Sequence, residues 1–430
     1  MNQFSDRHRI LIIDSGGGYG GNATFLRDFL IYLDKDQFQP FVAFYSLHAS
    51  PDTKAVQQMA LPIFFLSRSQ PLDNYLQEKL LARRSRWTWL HLAKVALHFI
   101  LQLFLLDLPR LWRLLRILKT NHIDLIILNN DVHYHRVGAL AARLTHLPCI
   151  CRKSGGIGEA RRLKKILTPW IDLFIAISAA TSQDQLQNNP GTKRVATVFE
   201  GVDLKRYVPG SHNSELRNEL GISVGKKVVA CVSRLVEGKG HREVVEAAAS
   251  VFKSYKDVVF LVVGEGENGI SNSLVKTLKA RIHALGLSPH FIFTGWRTDI
   301  PEILSLADLF VHCPTTWLEG LGIAHLEAMA MGKPTVVSEN GGLTEAALDG
   351  VTGFVVPPGD VDRLSLAILR LLNDHELAQR MGTNARKRIE ELFDVRKSTR
   401  QMEVLIHEYS RNNRLRSKNR LTAVQQTQIT

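Results

Sequence analysis

VVACVSRLVEGKGHREVVEAA, residues 228–248, is a short β-branched apolar run, a glycine-bearing loop with two cations, and then a segment of helical period. A run this short and this rich in valine reads as a buried strand, and the apolar spacing after His241 reads as a helix packed on it. A strand, a glycine-bearing loop without cations and a helical segment also follow one another at ILIIDSGGGYGGNATFLRDFL, residues 10–30. Around this earlier segment lie VAFYSL (42–47), IDLIILNN (123–130), PCIC (148–151) and LFIAIS (173–178). Around the later one lie VVFLVVGEG (258–266), HFIFTG (290–295), LFVHCP (309–314), PTVVSE (334–339) and GFVVPP (353–358). Strands that alternate with helices build a doubly wound parallel sheet, and two series predict two such α/β domains.

The boundary falls in DLKRYVPGSHNSE (203–215), a polar stretch with proline and glycine and no apolar period. The expected layout is a first domain over 1–205, a second over 206–385, and a C-terminal helix over 386–430 that returns to the first domain and ends in a frayed basic tail.

Charge follows these divisions. Residues 1–200 carry 25 basic against 15 acidic side chains, 201–395 carry 21 against 24, and 396–430 carry 8 against 2. Basic surface attracts phosphate-rich partners. No aromatic-interleaved or helix-turn-helix signature accompanies it, so nucleic acid is not an expected partner. The four cysteines, Cys149, Cys151, Cys231 and Cys313, are too few and too scattered for a disulfide framework and form no Cys-x-x-Cys metal motif. MNQFSDRHRI at the N-terminus lacks the apolar segment of a signal peptide, which predicts a cytoplasmic protein.

RRSRWTWLHLAKVALHFILQLFLLDLPRLWRLLRILK (83–119) fits neither sheet series. Lys94, His98, Gln102 and Asp107 interrupt it, so it does not read as a membrane span. Arginines flanking aromatic and leucine-rich helix suit an anionic membrane interface. A helical hairpin packed on the first sheet is the competing reading.

Three segments carry chemistry. Gly16, Gly17, Gly18, Gly20 and Gly21 open a helix after the first strand, where backbone can approach a ligand and free amides point outward. Arg234 and Lys239 follow a strand of the second series, where two cations can neutralise a diphosphate without a metal or other cofactor. In PTTWLEGLGIAHLEAMAMGKP (314–334), Gly320 and Gly322 let a tight loop aim the next helix at phosphate oxygens, with Glu319 in the loop and Glu327 on the helix.

In this order the three segments resemble glycosyltransferase family 4, retaining enzymes of the two-domain GT-B fold. The resemblance is densest over 233–240 and 309–342. It implies that Arg234 and Lys239 hold the diphosphate of a nucleotide sugar and that Glu327 accepts the ribose hydroxyls. It places Glu319 near the donor sugar, as the third member of the catalytic group with the two cations. It implies phosphate contacts from the amides of Leu321, Gly322 and Ile323 beside Gly320, base contacts at Thr294, Gly295 and Trp296, and donor contacts from Gly17, Gly18 and Gly20. Ser154 stands where many members carry histidine, and Glu200 where asparagine is usual. On the acceptor side, Asn130, His133, Lys153 and Ser154 are expected to face the cleft. Asp131 is a candidate helix cap, and Arg152, Lys153, Arg161, Arg162, Lys164 and Lys165 are candidates for a phosphorylated or lipid-linked glycan. The expected function is sugar transfer in lipopolysaccharide or exopolysaccharide assembly. A sugar-nucleotide epimerase, an inverting transferase of the same fold and a non-catalytic basic binding protein are the alternatives.

Overall fold

A computed structural model describes residues 7–16, 20–45, 51–67, 101–155, 162–210, 214–266 and 270–427. Gly17, Gly18, Arg161 and residues 83–100 of the basic insertion lie outside these residues, as does the side chain of Arg162.

The first sheet comprises β1 (His8–Asp14), β2 (Phe38–Phe44), β3 (Ile63–Phe65), β4 (Leu125–Asn129), β5 (Cys149–Lys153), β6 (Leu173–Ala176) and β7 (Val195–Thr197), ordered β3-β2-β1-β4-β5-β6-β7. The second comprises β8 (Lys227–Val232), β9 (Val258–Val263), β10 (Phe291–Gly295), β11 (Leu309–His312), β12 (Thr335–Ser338) and β13 (Gly353–Val356), ordered β10-β9-β8-β11-β12-β13. Every strand pair is parallel.

Parallel sheets covered by helices on both faces need strands that are apolar on both sides, which is why these read as continuous hydrophobic runs. The two faces of each sheet accordingly carry separate apolar clusters. Cys149 and Cys151, two residues apart and on one face of β5, are both buried. In each sheet the chain reverses its winding between the first strand and its β4 or β11 neighbour. Crevices at such switch points, beyond the carboxyl ends of the strands, are where doubly wound sheets hold ligands.

The chain crosses between domains twice, side by side. Val202 donates its amide to the Phe393 carbonyl at 2.8 Å, and Val395 returns the bond to the Val202 carbonyl at 3.1 Å. The helix His375–Leu392 therefore stays with the second sheet, so the expected boundary at 386 moves to about 393. The helix Val395–Thr427 then packs on the first domain through Met402 and Ile406, beside Leu26 and Phe29. The helix extends to Thr427.

Of the insertion, the helix Leu108–Thr120 turns Leu114 and Leu118 into the first core. Arg110 is buried with its guanidinium 5.4 Å from the Tyr45 ring, so this arginine is a packing residue rather than part of an outer basic face. Phe104, Leu105, Leu108 and Trp112 stay exposed, Trp112 at 64%.

Candidate functional site

β8 and β11 lie side by side at the centre of the second sheet, so the loops after them meet. The cation loop rests on residues 313–317. Thr315 donates its amide to the Gly238 carbonyl at 2.8 Å, and a Cβ built on Gly240, at φ +86°, would stand 1.9 Å from the Cys313 carbonyl oxygen. Only glycine fits that left-handed, backbone-crowded position. Gly240→Ala is therefore expected to cost about 2–4 kcal/mol of stability, read by denaturant unfolding.

This packing delivers Lys239 to Glu319. Its ammonium donates to Glu319 Oε1, and His312 Nε2, at the end of β11, meets the same oxygen at 3.0 Å. Burial alone would raise the Glu319 carboxyl, but Lys239 and His312 reverse this and hold it down at about 2. Arg234 stands over the Trp317 ring at 5.0 Å and Lys239 over it at 4.8 Å, so one indole carries both cations. The loop bearing Glu319 is fixed from behind by the turn after β12. The Glu319 amide donates to Asn340 Oδ1 at 3.0 Å, and Asn340 Nδ2 donates to the Pro314 and Thr315 carbonyls at 3.3 and 3.2 Å.

Gly322, at φ +83°, precedes the helix Ile323–Ala330 and has no side-chain cap there, leaving the first amides of the helix to a ligand. Gly320 presses on the first domain, where an added Cβ would stand 2.6 Å from the Ser154 carbonyl oxygen, and Leu321 is buried. Gly20 opens the helix Gly21–Tyr32, also without a side-chain cap, and the Cβ position of Gly21 lies 3.5 Å from Ile323 Cγ1. The starts of two uncapped helices thus meet at the seam between the domains. Thr294 and Gly295 end β10 and Trp296 follows it; the Gly264 amide donates to the Gly295 carbonyl at 2.9 Å and Gly264 in turn packs against Ser233 beside Arg234.

Glu327 stands apart from this cluster, further along its helix. It is buried and accepts a 2.5 Å hydrogen bond from the Tyr207 hydroxyl. Burial pushes its carboxyl up to about 7. The two glutamates of the motif are therefore shifted in opposite directions: Glu319 is held as an anion beside a lysine, and Glu327 titrates near neutrality.

On the opposite wall Ser154 Oγ donates to Asn130 Oδ1 at 3.1 Å, at the seam that Gly320 touches, and Asn130 is held at φ +144°. The neighbouring basic residues are arranged otherwise than expected. Lys153 is fully buried between Asp184 at 2.6 Å and Asp131 at 3.5 Å, Lys164 sits 2.5 Å from Asp131, and His133 Nδ1 lies 3.1 Å from the same carboxylate. Arg152 is buried 2.8 Å from Glu200 with its guanidinium 3.7 Å from the Phe25 ring. Buried ions require partners, so Arg152 serves an internal pair with Glu200, and Lys153 and Lys164 join His133 in a network around Asp131, instead of forming a free acceptor-binding face. Asp131 is the hub of that network and makes no helix cap.

His312, Trp317, Asn340 and Tyr207 were missed by motif reasoning. His312 ends a strand, where its position could have flagged it. Asn340 and Trp317 act through loop packing that no spacing reveals, and Tyr207 sits in what reads as a linker.

The family model described as "Glycosyltransferase Family 4" matches residues 19–206, and "Glycosyl transferases group 1" matches residues 212–388. The chain is 28% identical over 312 residues to the UDP-Gal:alpha-D-GlcNAc-diphosphoundecaprenol alpha-1,3-galactosyltransferase of Escherichia coli, covering 67% of this chain and 76% of that one. It is 34% identical over 194 residues to the GDP-mannose-dependent alpha-(1-6)-phosphatidylinositol monomannoside mannosyltransferase of Mycolicibacterium smegmatis, spanning 43% of this chain and 49% of that relative. In fold it is similar to Anabaena HepE, solved in complex with UDP and glucose, with a TM-score of 0.75 at 23% identity over 93% of this chain and 99% of that one. With both halves of the chain matched and the two-domain GT-B fold shared, the protein belongs to the group 1, family 4 glycosyltransferases and transfers sugar from a nucleotide-sugar donor.

Proposed function

We propose that the protein is a retaining glycosyltransferase that holds the diphosphate of its donor on Arg234 and Lys239 and passes the sugar to a lipid-linked glycan acceptor. The observation that carries this is that Arg234 and Lys239 share the Trp317 ring while Lys239 pairs with Glu319, four residues before the uncapped helix that starts at Ile323. As the bond to the anomeric carbon breaks, negative charge grows on the departing diphosphate. Fixed cations and helix amides stabilise that charge most where it develops, and two cations supply it without a metal. Gly322 and Ile323 would present those amides, Glu327 would take the ribose hydroxyls, and Thr294, Gly295 and Trp296 would border the base. Glu319, already an anion, would offset positive charge on the anomeric carbon or orient sugar hydroxyls.

The acceptor assignment draws on the exposed Phe104, Leu105, Leu108 and Trp112, which share their helical segment with Arg113, Arg116 and Lys119. That combination suits an anionic bilayer surface, with lipopolysaccharide or exopolysaccharide assembly as the setting. Among the described residues no helix is long and apolar enough to cross a membrane. The relatives named above act on a diphosphoundecaprenol-linked sugar and on a phosphatidylinositol mannoside, by their names.

The test is turnover of UDP-, GDP- and ADP-hexoses with a lipid-diphosphate-linked sugar acceptor, the product's anomeric configuration being read by NMR. One α-linked donor should be consumed to give an α-linked product. An inverted product, or no turnover of any donor, would contradict the proposal. Separately, Trp112→Ser with Arg113→Glu and Arg116→Glu should lower co-sedimentation with anionic vesicles several-fold. Unchanged sedimentation would remove the membrane surface from the assignment.

A further inference from the structure

Tyr207 belongs to the stretch that joins the domains, yet its side chain is among the most buried in the protein. Its hydroxyl ends on Glu327 Oε1 at 2.5 Å. The same stretch is tied to the first domain by the Tyr32 hydroxyl, which donates to Asp203 Oδ1 at 2.8 Å. Arg386, on the helix His375–Leu392, clamps it from the other side by donating to the Tyr207 and Ala330 carbonyls, each at 2.6 Å. The joining peptide is thus anchored at one end to the Gly21 helix and at the other to the helix that carries Glu327. A phenylalanine would fill the same volume at position 207. A buried hydroxyl is costly unless it is satisfied, and the hydrogen bond recorded for this one is to the carboxyl that the proposed donor site assigns to ribose.

Resting on that assignment, we infer that Tyr207 is a positioning residue for donor binding: its hydroxyl aims the Glu327 carboxylate at the ribose and links occupancy of that carboxylate to the peptide joining the two domains. Ribose hydroxyls and the phenol then donate to one carboxylate. The groups acting on that carboxyl are Tyr207 and Arg206 of the joining stretch and Asp28 and Arg27 of the Gly21 helix. Burial raises the carboxyl to about 7, while the Tyr207 hydrogen bond and Arg206 oppose the rise. A carboxylate accepts from two hydroxyls better than a carboxylic acid does, so nucleotide affinity should strengthen as pH climbs through 7. Removing the phenol donor leaves burial less opposed and moves that midpoint up.

The test is calorimetric titration of UDP and GDP into the full chain as wild type, Tyr207→Phe and Glu327→Gln, from pH 6 to pH 9. Dividing each profile by that of Glu327→Gln cancels titration of the nucleotide itself. Tyr207→Phe should bind roughly tenfold more weakly at pH 7, with a midpoint about one pH unit higher and recovery towards wild type by pH 9. A Tyr207→Phe profile that overlays wild type, or a loss equal at every pH, overturns the inference and leaves the ribose assignment standing. Glu327→Gln binding as tightly as wild type would instead remove the ribose assignment and this inference with it.

Discussion

Lys239→Ala is expected to lower kcat for the nucleotide-sugar donor by on the order of 10²–10³, with a smaller rise in donor KM. Its ammonium is buried, paired with Glu319 and placed over Trp317. In that low-dielectric setting a fixed cation stabilises growing diphosphate charge far more than water could. The ground-state diphosphate also gains from the lysine, but less, because its charge has not yet reached the bridging oxygen. The substitution has a structural side effect with a known sign. It leaves Glu319 buried with His312 as its remaining polar neighbour on Oε1, and breaking a buried pair by removing one partner costs about 3–5 kcal/mol. Activity is therefore to be compared at a temperature where denaturant titration shows the variant fully folded. A folded Lys239→Ala enzyme with kcat within threefold of wild type would rule out the cation as the diphosphate's stabiliser.

Glu319→Gln should move binding and turnover in opposite directions. The glutamine keeps the shape and can still accept from His312 or Lys239. It removes the negative charge that offsets Lys239, so a free nucleoside diphosphate is expected to bind as tightly as to wild type or several-fold tighter. The same charge no longer supports a developing positive centre at the sugar, so kcat is expected to fall on the order of 10². Parallel losses of affinity and turnover would mean instead that Glu319 serves only to hold the loop. Isothermal titration and steady-state kinetics on the one variant separate these outcomes.

Eleven of the strands were legible in the sequence because central parallel strands are apolar on both faces, as in ILIID and VVFLVV. The two not foreseen, Ile63–Phe65 and Val195–Thr197, are three-residue outer strands whose residues are only partly buried. Too short to leave a periodic signal, they are set by pairing with β2 and β6. The cation loop and the glutamate loop were legible because two cations follow a strand in one and because Gly320 and Gly322 allow a tight turn into a helix in the other. The opposite wall was read less well. Arg152, Lys153 and Lys164 look in sequence like a basic surface. They turn inward because Glu200, Asp184 and Asp131, from 31 to 48 positions away in the chain, meet them in the fold. Charge counts along a sequence do not distinguish a solvated cation from one neutralised by a distant carboxylate. Tyr207 escaped for a related reason: a linker by composition, it is core by contact.

Isothermal titration of UDP and GDP into wild type, Arg234→Ala and Lys239→Ala tests most directly whether the two cations form one diphosphate site. At least one nucleotide should bind wild type, and each substitution should weaken it tenfold or more, since each removes a charge-assisted contact. Two variants that bind nucleotide as tightly as wild type would place the diphosphate elsewhere and leave the Lys239–Glu319 pair a structural ion pair.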